Sequence, residues 1–158
     1  MANFEKKWTP EYTKRAKELG YSVTQIITIA SIIQKEAADV DQMAGISAVI
    51  HNRLKHAVDY PLLQCDSTIK YVELYASKLF DESKIKQYSQ YYDTYTTTGL
   101  PAGPICNPGL AAIKAALYPE EGSDNLYFCH DKNGKVYYAS NDIEHSKNIA
   151  ITIKVNAE

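Results

Sequence analysis

The chain has only three cysteines in 158 residues, Cys65, Cys106 and Cys129, and none of them sits in a CxxC spacing. An odd, scattered set excludes a disulfide scaffold and a zinc ribbon, and leaves the thiols as small buried side chains. Long apolar runs are missing too: the best stretch, Ile26 to Ile33, is interrupted by Thr28 and Ser31 and falls far short of the roughly 20 residues of a membrane span. The first twenty residues are charged and polar throughout, which excludes a secretory signal peptide. No excess of either charge exists, since 17 Lys plus Arg stand against 19 Asp plus Glu, a net charge of −2. Nucleic acid is therefore not an expected partner, because a phosphate backbone demands a basic surplus. His51 and His56 are five apart and no HExxH occurs, so no helical face presents a metal-ligand pair, and neither metal nor cofactor is expected. Phe (3) and Trp (1) are scarce against 13 Tyr. Rings that carry a hydroxyl suit half-buried surfaces, whether partly exposed core or a groove that stacks sugars.

What is present reads as one domain of the α+β class, mainly helical with a small antiparallel sheet. Residues 1–20 are expected to form a helical lead-in. Ser22 with Gln25 makes a capping box, behind which Val23, Ile26, Ile27, Ala30, Ile33 and Ala37 recur at helical spacing. A second helix is expected from Asp39 or Asp41 to about Lys55, with Met43, Ile46, Val49, Ile50 and Leu54 on its apolar face. Asp66 or Ser67 caps a short helix holding Ile69 and Val72, and the Tyr-rich stretch 78–95 is ambiguous. Residues 99–109 hold three Gly and three Pro and form a structured loop. Asn107 as N-cap with Pro108 at the first helical position then starts a helix to about Leu117. Leu126–Cys129 and Val136–Ala139 read as hairpin strands joined through Asn133-Gly134, and Asn141 or Asp142 caps a final helix carrying Glu144 and His145.

Glu36 follows Ile29, Ile32 and Ile33 at intervals of seven, four and three, so it shares an otherwise aliphatic helix face. A carboxyl there is expected to be partly desolvated, and desolvation favours the protonated acid that a glycosidic oxygen needs as proton donor. The competing reading places Glu36 on a frayed, solvated helix end beside Ala37, Ala38 and Asp39. Cys106 with His145 offers a nucleophile and base, although Cys106 sits in the Pro-rich loop rather than at a helix start.

Seven blocks recur in order and spacing. They are Ala30-Ser31-Ile32-Ile33-Gln34-Lys35-Glu36-Ala37, Val49-Ile50-His51-Asn52-Arg53-Leu54, Leu63-Gln64-Cys65-Asp66-Ser67-Thr68, Tyr92-Asp93-Thr94-Tyr95, Gly99-Leu100-Pro101 through Asn107-Pro108-Gly109, Leu126-Tyr127-Phe128 and Glu144-His145. Together they resemble the YceG-like (MltG) endolytic murein transglycosylases, over most of the chain from Ile26 to His145. The resemblance implies a lysozyme-like groove in which Glu36 is the general acid and base. The MurNAc–GlcNAc bond of peptidoglycan glycan strands would be cleaved with formation of 1,6-anhydro-MurNAc ends. Asn52, Gln64, Asp66, Thr68, Tyr95 and Asn107 are the expected groove residues, since amides, hydroxyls and a ring recognise N-acetyl sugars; for each a cap or a buried hydrogen bond is the alternative. Departures are Gln34 where a second acid often stands, Cys65-Asp66-Ser67 where Ser/Thr-Asp-Pro is common, and Val136 and Asn141 where a His and a Thr often occur.

The resemblance further implies an excised catalytic domain spanning 1–158, with the family's membrane anchor and LysM-like region absent from this sequence. The parent would be a single-pass protein of the bacterial cell membrane, with this domain on the extracytoplasmic side and cell-wall synthases as partners. A noncatalytic glycan-binding module and a Cys-His peptidase acting on the peptide stem are the other functional readings.

Overall fold

The computed structural model describes residues 7–158, so the start of the expected lead-in lies outside the described residues. Among these the order is α1 (Pro10–Glu18), α2 (Val23–Glu36), α3 (Met43–Lys55), α4 (Asp66–Tyr75), a 3₁₀ turn (Ala76–Lys78), α5 (Glu82–Tyr92), α6 (Leu110–Leu117), β1 (Tyr127–His130), β2 (Val136–Ala139) and α7 (Asp142–Ala157). The class is α+β, as the composition and capping pattern indicate. None of these helices is long and apolar enough to cross a membrane.

Helix α2 is the axle. Ser22 and Gln25 close the capping box in both directions, and Ile26, Ile29, Ile32 and Ile33 are fully buried. Each such side chain contributes about 1.5–3 kcal/mol on leaving water. Helix α6 lies against it, adding Ala112, Ile113, Ala116 and Leu117 to the same buried core; the two alanines are small enough to let the backbones approach. Ser31 Oγ, inside α2, donates to Thr28 O and accepts the N–H of Ile105 at 3.0 Å, which pins the Gly/Pro loop onto the helix.

Three helix starts differ from expectation, each for an identifiable reason. Helix α3 starts at Met43 rather than near Asp39 or Asp41, because the intervening residues build a turn instead. Asp39 Oδ1 accepts the N–H of Gln42, and the Gln42 side chain accepts the N–H of Ala38 and donates to Gly134 O. Helix α6 starts at Leu110 with Gly109, not Asn107, as N-cap. Gln34 Oε1 takes the N–H of Gly109 at 3.0 Å, holding the chain extended there and leaving Pro108 outside the helix. Helix α4 takes Asp66 as its first residue, and the Asp66 carboxylate is engaged by Tyr95 rather than by the helix end.

Strand β1 begins one residue later than expected, although Leu126 N–H still donates to Ala139 O. The ladder pairs Tyr127 with Ala139, Phe128 with Tyr138, Cys129 with Tyr137 and His130 with Val136. Asp131 Oδ1 gathers the N–H groups of Asn133 and Lys135, and Gly134 supplies the positive φ of 80°. The hairpin is seated on α3 by Tyr138, whose hydroxyl donates to Gln42 O at 3.2 Å over Gly45. The stretch 78–95 resolves into the 3₁₀ turn and α5, which Asp81 caps; none of α5 is buried, which is why its periodicity is weak in the sequence.

Candidate active site

Glu36 is the last residue of α2, half-buried, with Oε1 accepting the N–H of Ser67 at 3.1 Å in the first turn of α4. No described residue bonds Oε2. The residue faces a cleft of about 780 Å³ that runs between α2, α3, α4, the hairpin and α7, a volume within the range of small-molecule and saccharide sites. A carboxyl with one oxygen anchored on a backbone N–H and the other open to such a cleft can give or take a proton from what binds there.

The wall opposite the hairpin is made by tying the 63–68 segment to the 92–95 segment. Thr94 Oγ1 accepts the N–H of Cys65 at 2.9 Å and meets Thr68 Oγ1 at 3.0 Å, while Thr94 O accepts the N–H of Gln64. Asp66 Oδ1 accepts the Tyr95 hydroxyl at 2.6 Å. Burial and that carboxylate both push the Tyr95 phenol well above its ordinary range, so it stays a donor. Gln64 has φ 55°, alone among the described non-glycine residues in being positive, and strained backbone of this kind is characteristic of functional sites.

Arg53, on α3, is only 6% exposed. Its Nε donates to Leu126 O at 2.6 Å and its Nη1 to Leu62 O and Gln64 Oε1 at 2.8 and 2.9 Å. The guanidinium also lies 4.7 Å from the Tyr127 ring centre. Carbonyls and a ring face thus stabilise a cation that has no carboxylate in contact among the described residues. His145 stacks on the other side of this corner, its ring 4.8 Å from Tyr127, with Nδ1 buried and unpartnered. Burial first, then Arg53, lowers the His145 pKa, so the ring is neutral near pH 7.

Of the residues singled out from sequence, Glu36, Gln64, Asp66 and Tyr95 share the cleft. Asn52, Thr68 and Asn107 do not line it. Asn52 Nδ2 donates to Ser123 O and Asn125 O, both at 2.9 Å, and so holds the approach to β1. Thr68 is fully buried and bonds Cys65 O. Asn107 is exposed beside the α6 entry. His51 is a packing residue: its Nε2 bonds Ala116 O and its ring meets Tyr21 edge-on. Cys106 and His145 do not form a pair, since Cys106 Sγ bonds Ser31 O outside the cleft that holds His145.

Sequence reading missed Arg53, His130 and Cys129. Arg53 lay inside a matching block but next to the more sugar-like Asn52; His130 and Cys129 carried no periodic signal. The cysteines also divide, with Cys65 buried and Cys106 and Cys129 only half-buried, Cys129 within the cleft.

Comparison with known proteins shows the family to which the chain belongs. The YceG-like family model matches residues 1–151. The endolytic murein transglycosylase of Bacillus subtilis (strain 168) is 36% identical over 138 residues, covering 86% of this chain and 36% of that protein. The endolytic murein transglycosylase of Streptococcus pneumoniae serotype 2 (strain D39) is 35% identical over 159 residues, covering 95% of this chain and 27% of that protein. This chain thus spans about a quarter to a third of the length of these curated relatives. A yceG-like protein of Listeria monocytogenes, known from its crystal structure, superposes with a TM-score of 0.69 at 40% identity, over 87% of this chain and 44% of that one. With the family model covering nearly its whole length, the chain belongs to the YceG-like family.

Proposed function

We propose that this chain carries the catalytic centre of an endolytic peptidoglycan lytic transglycosylase, with Glu36 as its general acid and base. The observation that supports this most is the position of Glu36: a half-buried carboxyl at the end of an aliphatic helix, one oxygen fixed by Ser67 N–H and the other free toward a cleft. The relatives' names supply the substrate class.

In this reading Glu36 protonates the oxygen between MurNAc and GlcNAc, and the bond electrons pass to that oxygen as it leaves. The positive charge that develops at the sugar's anomeric carbon is relieved by its own C6 hydroxyl, which closes the 1,6-anhydro ring. The ionised Glu36 then takes the hydroxyl proton and is reset. One carboxyl suffices, unlike the pair used by most glycoside hydrolases. Gln64, Asp66 and Tyr95 contribute the amide, carboxylate and phenol that hold the sugars. In the parent protein the domain works at the extracytoplasmic face of the cell membrane, on glycan strands made by cell-wall synthases.

The test is incubation of the protein with purified peptidoglycan and mass analysis of the products. Anhydro-muramyl ends support the proposal; saturated reducing ends would make it a hydrolase, cut peptide stems a peptidase, and intact glycan that is nevertheless bound a binding module.

A further inference from the structure

The cleft contains a second titratable group that the chemistry above leaves unused, His130 at the end of β1. Its Nε2 lies 2.9 Å from Gln42 Oε1. The Gln42 amide has a single consistent orientation: its Nε2 donates to Gly134 O and Asp39 Oδ2, and its Oε1 accepts the N–H of Ala38. An oxygen cannot donate, so His130 Nε2 carries the proton, and in the neutral ring Nδ1 keeps its lone pair. No described residue bonds Nδ1. The charged groups that face the ring are Glu36 from α2, Asp39 from the turn before α3 and Asp131 after β1. All three favour protonation, but burial opposes it more strongly and the imidazole pKa lies below its ordinary value. At neutral pH His130 therefore brings an imidazole with an unused acceptor nitrogen to the lining that also holds Glu36, among side chains that include donors such as Lys35, Arg53 and Lys70.

We propose that His130 is a substrate-positioning residue whose Nδ1 accepts a hydrogen bond from a donor of the bound amino-sugar strand, a hydroxyl or an acetamido N–H. This rests on the glycan reading above. Gln42 acts through His130, fixing the tautomer that makes Nδ1 an acceptor. His130 also stands directly opposite Val136 across the ladder, and cross-strand partners share one face of a sheet.

Two substitutions separate the acceptor from the structural link. His130→Gln keeps a donor where Nε2 meets Gln42 but removes the acceptor at Nδ1; His130→Asn keeps an amide oxygen near Nδ1 and gives up the link. Affinity is measured for soluble glycan strands released from peptidoglycan, in a Glu36→Gln background so that nothing is cleaved and Glu36 does not titrate. His130→Gln is expected to weaken binding by about 3- to 10-fold, the worth of one neutral hydrogen bond, while His130→Asn retains most of it. Binding by the protein with His130 intact is expected to weaken as pH falls through the imidazole titration, where Nδ1 becomes a donor, and the His130→Asn protein is expected to lack that limb. With Glu36 present, His130→Gln should raise KM and leave kcat nearly unchanged. Unaltered binding in His130→Gln, or equal losses in both variants with no pH limb, overturns the proposal and leaves the ring as a hairpin anchor. A wild-type protein that neither binds nor cleaves glycan overturns the functional reading as well, so the two failures are distinguishable.

Discussion

Arg53 Nη1 donates to Gln64 Oε1 at 2.9 Å, and Gln64 is held at φ 55° as it does so. A buried cation on α3 thereby reaches across the cleft floor and fixes the side chain of a strained residue on the opposite wall. Backbone strain at Gln64 is offset by this bond and by the bond from its N–H to Thr94 O.

Truncating Gln64 in two ways isolates that strain. Gln64→Ala and Gln64→Gly both lose the Arg53 contact, but glycine adopts positive φ without penalty. Gln64→Gly is expected to be more stable than Gln64→Ala by about 1 kcal/mol. Urea denaturation midpoints of the two variants check this, and equal midpoints would show that the 64 position is unstrained in solution.

Replacing Glu36 by Gln keeps the size of the side chain and an acceptor for Ser67 N–H. Fold and glycan binding are expected to persist while cleavage is lost, because an amide cannot deliver an acidic proton. Product analysis after long incubation reads the outcome; substantial anhydro product would remove Glu36 from its role.

Cys129 is expected to make the cleft sensitive to thiol reagents. Structural thiols alone would leave activity indifferent to alkylation, but a half-buried thiol in the cleft wall predicts inhibition. Burial raises the Cys129 pKa, so inhibition by iodoacetamide should be slow at neutral pH and quicken as pH rises past the ordinary thiol range. Bound glycan should protect, and Cys129→Ser should be resistant. Equal inhibition of Cys129→Ser would point to Cys106 instead.

His51 gives the fold a pH dependence of defined sign. Burial lowers its pKa, helped by Arg15 and opposed by the bond to Ala116 O. The folded state therefore binds the proton less readily than the unfolded chain. The stability linked to this group is present above the ordinary imidazole value of about 6.5 and is lost as pH falls through the lower folded value. His51→Gln retains a donor for Ala116 O without a titrating ring, so its thermal midpoint should fall less than that of wild type between about pH 7 and pH 5. Parallel melting curves across that window would rule the linkage out.

Gly45 is the seat of the hairpin. A Cβ there would meet the Tyr138 hydroxyl at less than van der Waals distance and the ring carbon Cζ at 2.7 Å. Gly45→Ala is expected to cost about 1–3 kcal/mol by overpacking, and adding Tyr138→Phe should restore only part of it, since the ring carbon remains. Full recovery in the double variant would mean that the hydroxyl alone sets the fit.

The amino-acid order by itself determined the helices whose signals are local. The Ser22–Gln25 capping box, the isoleucine spacing of α2, the Asn141 cap of α7 and the Asn133-Gly134 turn are each complete within a few residues, so short-range sterics and hydrogen bonds decide them. It also placed Glu36 on the aliphatic face, where the structure leaves it half-buried. Only the tertiary structure decided where side-chain polar groups are used. Asn52 and Thr68 read as sugar ligands until the carbonyls of Ser123, Asn125 and Cys65 arrive beside them, from as far as 73 residues away in the chain. The start of α6 moved because Gln34, 75 residues earlier, takes the N–H of Gly109. Arg53 and His130 enter the cleft by packing of α3 and the hairpin, which no periodicity encodes. An amide or imidazole is equally suited to a backbone carbonyl and to a sugar, and which one it meets is set by long-range packing rather than by its neighbours in sequence.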